Sequence, residues 1–239
     1  MNTEGDTGEK QEEREELMHV RIAETLSRKA TLIQQVHDAT FTIFGQLKDA
    51  LHEMSGELND TLDEMGKRVK VEYRDRGKFE AQLQVADDIL IFSMHTNVFV
   101  FNREHPIWLN SYVHENKDNA YCGMINIYNF LSDSFRYNRN ADEGYLIGRV
   151  FINHEMEYFV EGKRQISLRH NNFGTQKIDK TALINIVEAA IGYAVEFDLL
   201  VPPYDAVKTV SVDQLNTKIE NSKMQTGKRL GYKFNADDI

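Results

Sequence analysis

The chain has 239 residues, of which 41% are hydrophobic and 28% are charged, and its formal net charge is −10 at pH 7. This length suffices for one sizeable folded domain with appendages. An acidic chain is not typical of a protein that coats nucleic acid, because binding to phosphates depends on lysine and arginine. Cys122 is the single cysteine, which excludes an intramolecular disulfide and a thiolate metal site within one chain.

Residues 1–16 carry half of the charge imbalance, with seven acidic and two basic side chains. They show no apolar periodicity, and we predict an acidic leader that is flexible or partly helical. The leader has neither the basic stretch nor the apolar stretch of a signal peptide. The most apolar long run, residues 183–201, contains Glu188, Glu196 and Asp198, which are costly in a bilayer. We therefore predict no membrane contact and a cytoplasmic location.

Residues 17–69 have the apolar spacing of helices and form the predicted helical arm. Steps of three and four residues are typical of a helix-packing stripe or a coiled-coil seam. Gly56 is the expected break, so the arm is either one bent helix or two helices. The stripe packs on the chain's own sheet or binds a second copy or another protein, and for a continuous helix we favour self-association. The predicted interaction residues are Phe44, Leu47, Leu51, Met54, Leu58, Leu62 and Met65.

Residues 71–204 are the predicted α+β domain, and we interpret the charged stretch at 70–78 as a separator before its strands. From Phe79 apolar residues alternate with polar ones, and further apolar runs follow with short connections. This pattern predicts an antiparallel meander of five to seven strands. A mostly apolar helix at 181–200, capped by Asp179 or Thr181, is expected to pack on the meander. Residues 205–239 are predicted to form a short helix near 212–223 and a polar, locally basic tail.

Glu161 and Lys163 form a Glu-x-Lys sequence at the end of a predicted strand, where both side chains point to the same face. With Asp142 or Glu143 upstream, the pattern resembles that of restriction-endonuclease-like, metal-dependent nucleases over residues 142–163. The resemblance implies that carboxylates hold Mg²⁺ and that the lysine positions water for phosphodiester hydrolysis. The same residues are also expected if Glu161 and Lys163 only form an ion pair at the solvated end of a β-hairpin, and we favour that interpretation. Nucleic acid and a divalent metal are expected only under the nuclease alternative.

A small-molecule pocket is a further hypothesis, with Phe92, His95, Phe99 and Trp108 as its lining. The sequence contains no phosphate-binding glycine motif, no Gly-x-Ser-x-Gly motif and no pair of histidines at metal-binding spacing. We therefore predict a non-catalytic interaction or sensor module without a cofactor. It is expected to form a homo-oligomer or to bind a protein partner through its helical arm.

Overall fold

The computed structural model describes residues 5–140, 142–163, 173–197 and 203–213, with side chains from residue 17 onward except 206 and 207. The strands in these ranges are β1 (Val71–Asp75), β2 (Glu80–Val85), β3 (Asp88–Met94), β4 (Phe99–Val100), β5 (Tyr121–Leu131), β6 (Tyr145–Ile152) and β7 (Tyr158–Gly162). The helices are α1 (Gly5–Glu64), α2 (Ser111–Glu115), α3 (Ser132–Arg136), α4 (Lys180–Val195) and α5 (Tyr204–Val207).

The seven strands of the described ranges form one antiparallel sheet in the order β1-β2-β3-β5-β6-β7. Strand β4 pairs with the start of β5 and continues the row of β3 after an interruption at residues 95–98. The predicted α+β fold, with a long N-terminal helix, an antiparallel meander and a later apolar helix, is confirmed.

Helix α1 continues without interruption through Gly56, where the sequence suggested a break. Residues 5–16 of the predicted leader (residues 1–16) also belong to this helix. A glycine inside a helix costs about 1 kcal/mol relative to alanine. The buried side chains of Met54 and Ser55 hold this part of α1 on the domain, and this packing outweighs that cost.

The end of α1 is fixed by a glycine and by a side-chain contact to the first strand. Gly66 adopts a left-handed conformation with φ 66°, and the amide of Lys67 donates to the carbonyl of Leu62 at 2.9 Å. This geometry is that of a glycine C-cap. One turn earlier, the Asn59 amide accepts from the N–H of Val71 at 2.9 Å and donates to its carbonyl at 2.8 Å. The corner between α1 and β1 is therefore held by two hydrogen bonds.

Strand β1 lies within residues 70–78, so the interpretation of this stretch as a separator was wrong. Val71 is buried and Tyr73 is half-buried, while the charged residues between and after them are exposed. The strand is short and lies at the edge of the sheet, where charged side chains oppose pairing with other chains. These charges hid the two-residue alternation in the sequence.

One face of the sheet packs against α1 and α4 and forms the main hydrophobic core. Helix α1 approaches the sheet closely at Gly123 of β5, where an added Cβ would lie 2.1 Å from Oγ1 of Thr40. Helix α4 begins after Asp179, whose carboxylate accepts from the N–H of Ala182 at 2.7 Å, which confirms the predicted N-cap. The helix ends at Val195, short of the predicted residue 200.

The opposite face carries a second, smaller core beneath the segment that runs from β4 to β5. Helix α3 covers the other end of this face, where the rings of Phe130 and Phe135 meet. Most of the helix predicted near 212–223, and the basic tail, lie outside the described residues. Within the described ranges, no helix combines the length and apolar character needed to cross a membrane.

Candidate functional site

The N-terminal arm of α1, which we define as residues 5–31, extends beyond the folded domain. Every residue from 17 to 31 is exposed, and Leu32 begins the buried side of the helix. Arg28 marks the boundary, because its guanidinium donates to the carboxylate of Asp118 at 2.8 Å. At 1.5 Å per residue the arm is about 40 Å long. A large part of α1 is therefore not used by the domain's own core.

Three exposed apolar side chains, Met18, Ile22 and Leu26, form a line along this arm, which we call the arm stripe. They are 63%, 50% and 64% exposed. Val36 follows Met18 by five full helical turns, and Phe44 follows Leu26 by the same interval, so these residues share one side of α1. Val36 and Phe44 are buried, and Phe44 belongs to the main core between α1 and the sheet. The arm stripe is thus the uncovered extension of the face that packs on the domain.

The residues predicted to mediate interactions lie further along α1. Phe44, Leu47, Leu51 and Met54 are buried in the main core, Leu58 and Leu62 are half-buried against it, and Met65 is 64% exposed beyond the end of the helix. For the residues from Phe44 to Leu62, the structure shows packing on the chain's own domain, which was one of the two arrangements that the sequence left open. Met18 and Ile22 were not among the predicted interaction residues, although the four-residue steps from Met18 to Ile22 and from Ile22 to Leu26 were the available indication.

The charge along the arm changes sign near residue 17. Residues 5–16 contain six acidic and two basic side chains, a net charge of −4. Residues 17–31 contain one acidic and three basic side chains, a net charge of +2. The arm therefore carries two consecutive segments of opposite charge.

Glu161 of the predicted Glu-x-Lys sequence lies in β7 opposite Arg149 of β6. Its carboxylate accepts from Nη2 of Arg149 at 2.6 Å and lies 3.0 Å from Nε2 of His105. Lys163 follows the strand, and its backbone amide donates to the carbonyl of Ile147 at 3.0 Å. The arrangement supports an ion pair on the hairpin, in which Arg149 contacts Glu161.

Asp142 and Glu143, the upstream acids of the nuclease alternative, precede β6. Asp142 accepts from Oγ of Ser134 at 2.8 Å and lies 3.8 Å from the guanidinium of Arg139, while Glu143 is exposed. Glu161 pairs with the fifth residue of β6, about 13 Å along the strand from its start. Ser134 and Arg139 contact Asp142, whereas Arg149 and His105 contact Glu161. In the part of the chain that the structure describes, no group of three or more His, Cys, Asp or Glu residues could hold a metal ion, and the nuclease alternative stays a prediction.

The four residues predicted to line a pocket lie on both faces of the sheet. Phe92 is fully buried in the main core, whereas Trp108 packs against the second core on the opposite face. His95 and Phe99 contact each other at the interruption between β3 and β4, with ring centroids 4.7 Å apart. The structure therefore does not bring all four side chains to one pocket.

A cavity of about 250 Å³ lies next to α3. The rings of Phe130 and Phe135 form its apolar wall, and Arg139 and Asp142 contribute to its polar wall. The side chain of Arg139 is only 5% exposed, and its guanidinium lies 3.5 Å from Asp133 and 3.8 Å from Asp142. In the sequence, residues 136–144 are rich in asparagine and arginine, and this composition does not indicate which arginine becomes buried.

No protein-family model, no curated protein and no solved structure matches the chain.

Proposed function

We propose that this protein is a non-catalytic interaction module that self-associates through the N-terminal arm of α1. The observation that carries the proposal is the continuity of the arm stripe with the buried side of the helix. Fully covering a leucine, isoleucine or methionine side chain contributes about 1.5–3 kcal/mol. The three side chains are exposed over half or more of their surface. A second arm that covers them therefore contributes about 1 kcal/mol for each residue.

The position of the folded domain favours an antiparallel pair of arms. The domain lies on the same side of α1 as the arm stripe, because both use one face of the helix. Two parallel arms with facing stripes would require both domains to occupy the same space. Antiparallel arms place the two domains at opposite ends of the pair.

The charges of the arm favour the same orientation. An antiparallel pair with Ile22 at its axis matches Met18 with Leu26 and places Glu15 and Glu16 of one arm near Lys29 and Arg28 of the other. A parallel pair places like charges together, which is unfavourable. A second copy of this chain is therefore a partner whose charges and apolar line both complement the arm.

The molar mass in solution tests self-association directly. Light scattering on the full chain should give about twice the monomer mass of 27.7 kDa at protein concentrations of about 100 μM. Ile22→Glu should shift the protein to the monomer mass. Val20→Glu is the matched control, since Val20 is 52% exposed and Ile22 is 50% exposed, and the two lie on opposite sides of the helix. A monomer mass for the unchanged chain, or equal masses for the two variants, would refute the proposal.

Disulfide formation between introduced cysteines tests the orientation. Met18→Cys, Ile22→Cys and Leu26→Cys are made singly, and the natural thiol of Cys122 is fully buried. In an antiparallel pair only the position nearest the two-fold axis lies beside its own copy, so one of the three variants should cross-link efficiently. Equal cross-linking at all three positions would indicate a parallel pair and contradict the antiparallel arrangement.

A further inference from the structure

Five polar side chains form one row across the sheet, which we call the polar row. The strand register places one residue from each of β2, β3, β5, β6 and β7 in line, and these are Glu80, Ser93, Asn126, Arg149 and Glu161. Ile125 and Ile127, the neighbours of Asn126 along β5, belong to the main core, so the polar row lies on the opposite face of the sheet. Neighbouring strands are about 4.8 Å apart, and the row is therefore about 19 Å long.

The amide of Asn126, at the centre of the polar row, lacks a hydrogen-bond partner. Asn126 is only 9% exposed, and its side chain makes no hydrogen bond with the described residues. Its two polar atoms keep contact with solvent, whereas Oδ1 of Asn129 on the other face is closed off. The hydroxyl of Ser93 also makes no hydrogen bond within the described ranges. Buried polar groups are usually satisfied by protein, water or a ligand, so these groups are available to a bound molecule.

The charged side chains of the polar row are neutralised within the protein. Glu80 lies 3.4 Å from Nε of Arg76, and Glu161 accepts from Nη2 of Arg149 at 2.6 Å. Two acidic and two basic side chains give a net charge of zero. A phosphate or another simple anion would be repelled by the two carboxylates, and a simple cation would be repelled by the two guanidinium groups. The polar row therefore suits a neutral molecule.

The position of the polar row restricts the class of that molecule further. A peptide that extends a sheet bonds to the backbone of an edge strand, but the backbone groups of β3, β5 and β6 are used within the sheet. Single-stranded nucleic acid requires a positively charged groove with stacking aromatic side chains. The groups that the row presents are an amide, a hydroxyl and paired charges, which donate and accept at close spacing. Sugar hydroxyls do the same.

We propose that the polar row binds a neutral oligosaccharide. The sugar hydroxyls donate to and accept from the Asn126 amide and the Ser93 hydroxyl, and the half-exposed guanidinium of Arg149 donates to further hydroxyls. Tyr128 follows Asn126 on the same face and is half-buried, so its ring provides an apolar surface for one sugar ring. A length of about 19 Å accommodates several linked sugar units. The site lies on the face away from α1 and does not depend on self-association.

A glycan array that carries neutral and acidic oligosaccharides, probed with the full chain, tests the proposal. At least one neutral oligosaccharide should bind. In calorimetric titration its constituent monosaccharide should bind at least about ten-fold more weakly, because it reaches fewer groups of the row. Binding to acidic glycans alone would overturn the neutral assignment. The absence of binding to any glycan would overturn the site itself.

Asn126→Leu connects binding to the centre of the polar row, because leucine is close to asparagine in size but has no polar side-chain atom. The variant should weaken binding at least about ten-fold. Its urea-unfolding midpoint should stay the same or rise, because the amide has no partner to lose in the described part of the chain. A purely structural amide would instead lower the midpoint. Asn129→Leu is the matched control on the other face of β5, and it should leave the affinity within about two-fold.

Ser93→Ala provides a second test, which also serves if circular dichroism shows that Asn126→Leu fails to fold. It removes one hydroxyl beside Asn126 and should weaken binding by about three- to ten-fold. Unchanged affinity in folded Asn126→Leu or in folded Ser93→Ala would overturn the proposal. A lowered unfolding midpoint of Asn126→Leu, or an equal loss of affinity in Asn129→Leu, would overturn it as well.

Discussion

Replacement of Gly123 by alanine tests how closely α1 packs on the sheet. The added Cβ would lie 2.1 Å from Oγ1 of Thr40 and 2.8 Å from its Cβ and Cγ2. Thr40 is fully buried, and its hydroxyl donates to the carbonyl of Val36 at 2.7 Å, so the side chain has little freedom to turn away. Helix α1 must therefore move by about 1 Å, and overpacking of this kind costs about 1–3 kcal/mol of unfolding free energy.

Gly56→Ala is the matched control, because it is the same chemical change in a different setting. Apart from the neighbouring backbone of α1 itself, no atom lies within 4 Å of an added Cβ at Gly56, and the residue is in the interior of the helix. This variant should gain about 1 kcal/mol from helix propensity alone. The two glycine-to-alanine changes are therefore expected to differ by about 2–4 kcal/mol and in opposite directions.

Urea unfolding measures the change in unfolding free energy of both variants, provided that their m-values equal that of the unchanged chain. The Thr40→Ala background provides a second control, since it removes Oγ1 and Cγ2 but leaves the Cβ contact at 2.8 Å. Gly123→Ala should cost less in this background than in the unchanged chain. Equal or increased stability of Gly123→Ala, or an equal cost in both backgrounds, would refute the close packing.

Three further predictions concern ionisable groups. The hydrogen bond from Lys48 holds the pKa of Asp75 below its usual value. The stability that the ionised Asp75 contributes is therefore present above about pH 4 and is lost as the pH falls through its pKa in the folded chain. Lys48→Met should raise the pKa of Asp75 in an NMR titration, and an unchanged pKa would contradict the contact. Burial raises the pKa of the Cys122 thiol, so a thiol reagent at pH 8 should label the folded chain far more slowly than the urea-unfolded chain, and equal rates would show that the thiol is accessible. Glu161→Gln should lower the unfolding free energy by only about 0.5–1 kcal/mol, because the side chains of Glu161 and Arg149 are 30% and 42% exposed and water weakens their ion pair. If urea unfolding shows that the free energy falls by more than about 3 kcal/mol, the ion pair behaves as a buried one and the reasoning is wrong.

The meander and α4 could be predicted from the sequence because their patterns are local. Alternation from Phe79 and the cap at Asp179 each depend on neighbouring residues only. Strand β1 could not be predicted, because its assignment depends on pairing with β2 rather than on its own composition. The continuity of α1 through Gly56 likewise depends on the contacts that the helix makes with distant strands.

The candidate sites likewise combine features that local sequence patterns indicate with features that depend on the folded structure. The apolar spacing in α1 indicated a packing surface, but the sequence does not show where the sheet begins to cover it, at Leu32. Ion pairing of Glu161 was expected, whereas Arg149 as its partner follows from the register of β6 and β7. The burial of Arg139 depends on how α3 folds over the end of the sheet, which no local pattern encodes.

Because α1 is long and contacts the sheet closely where Thr40 meets Gly123, a small rotation of the helix at this contact produces a large displacement at the tip of the arm. The helix contains no glycine or proline between Glu9 and Phe44, so the arm has no hinge residue from Glu9 onward. A tilt of 10° about the contact at Gly123 displaces the tip of the arm, about 50 Å away, by about 9 Å. The direction of the arm is therefore set by the packing of α1 on the domain between Leu32 and Leu62, and the contact at Gly123 is one part of it. Two chains joined through such arms would hold their sheets at a set distance and a set angle.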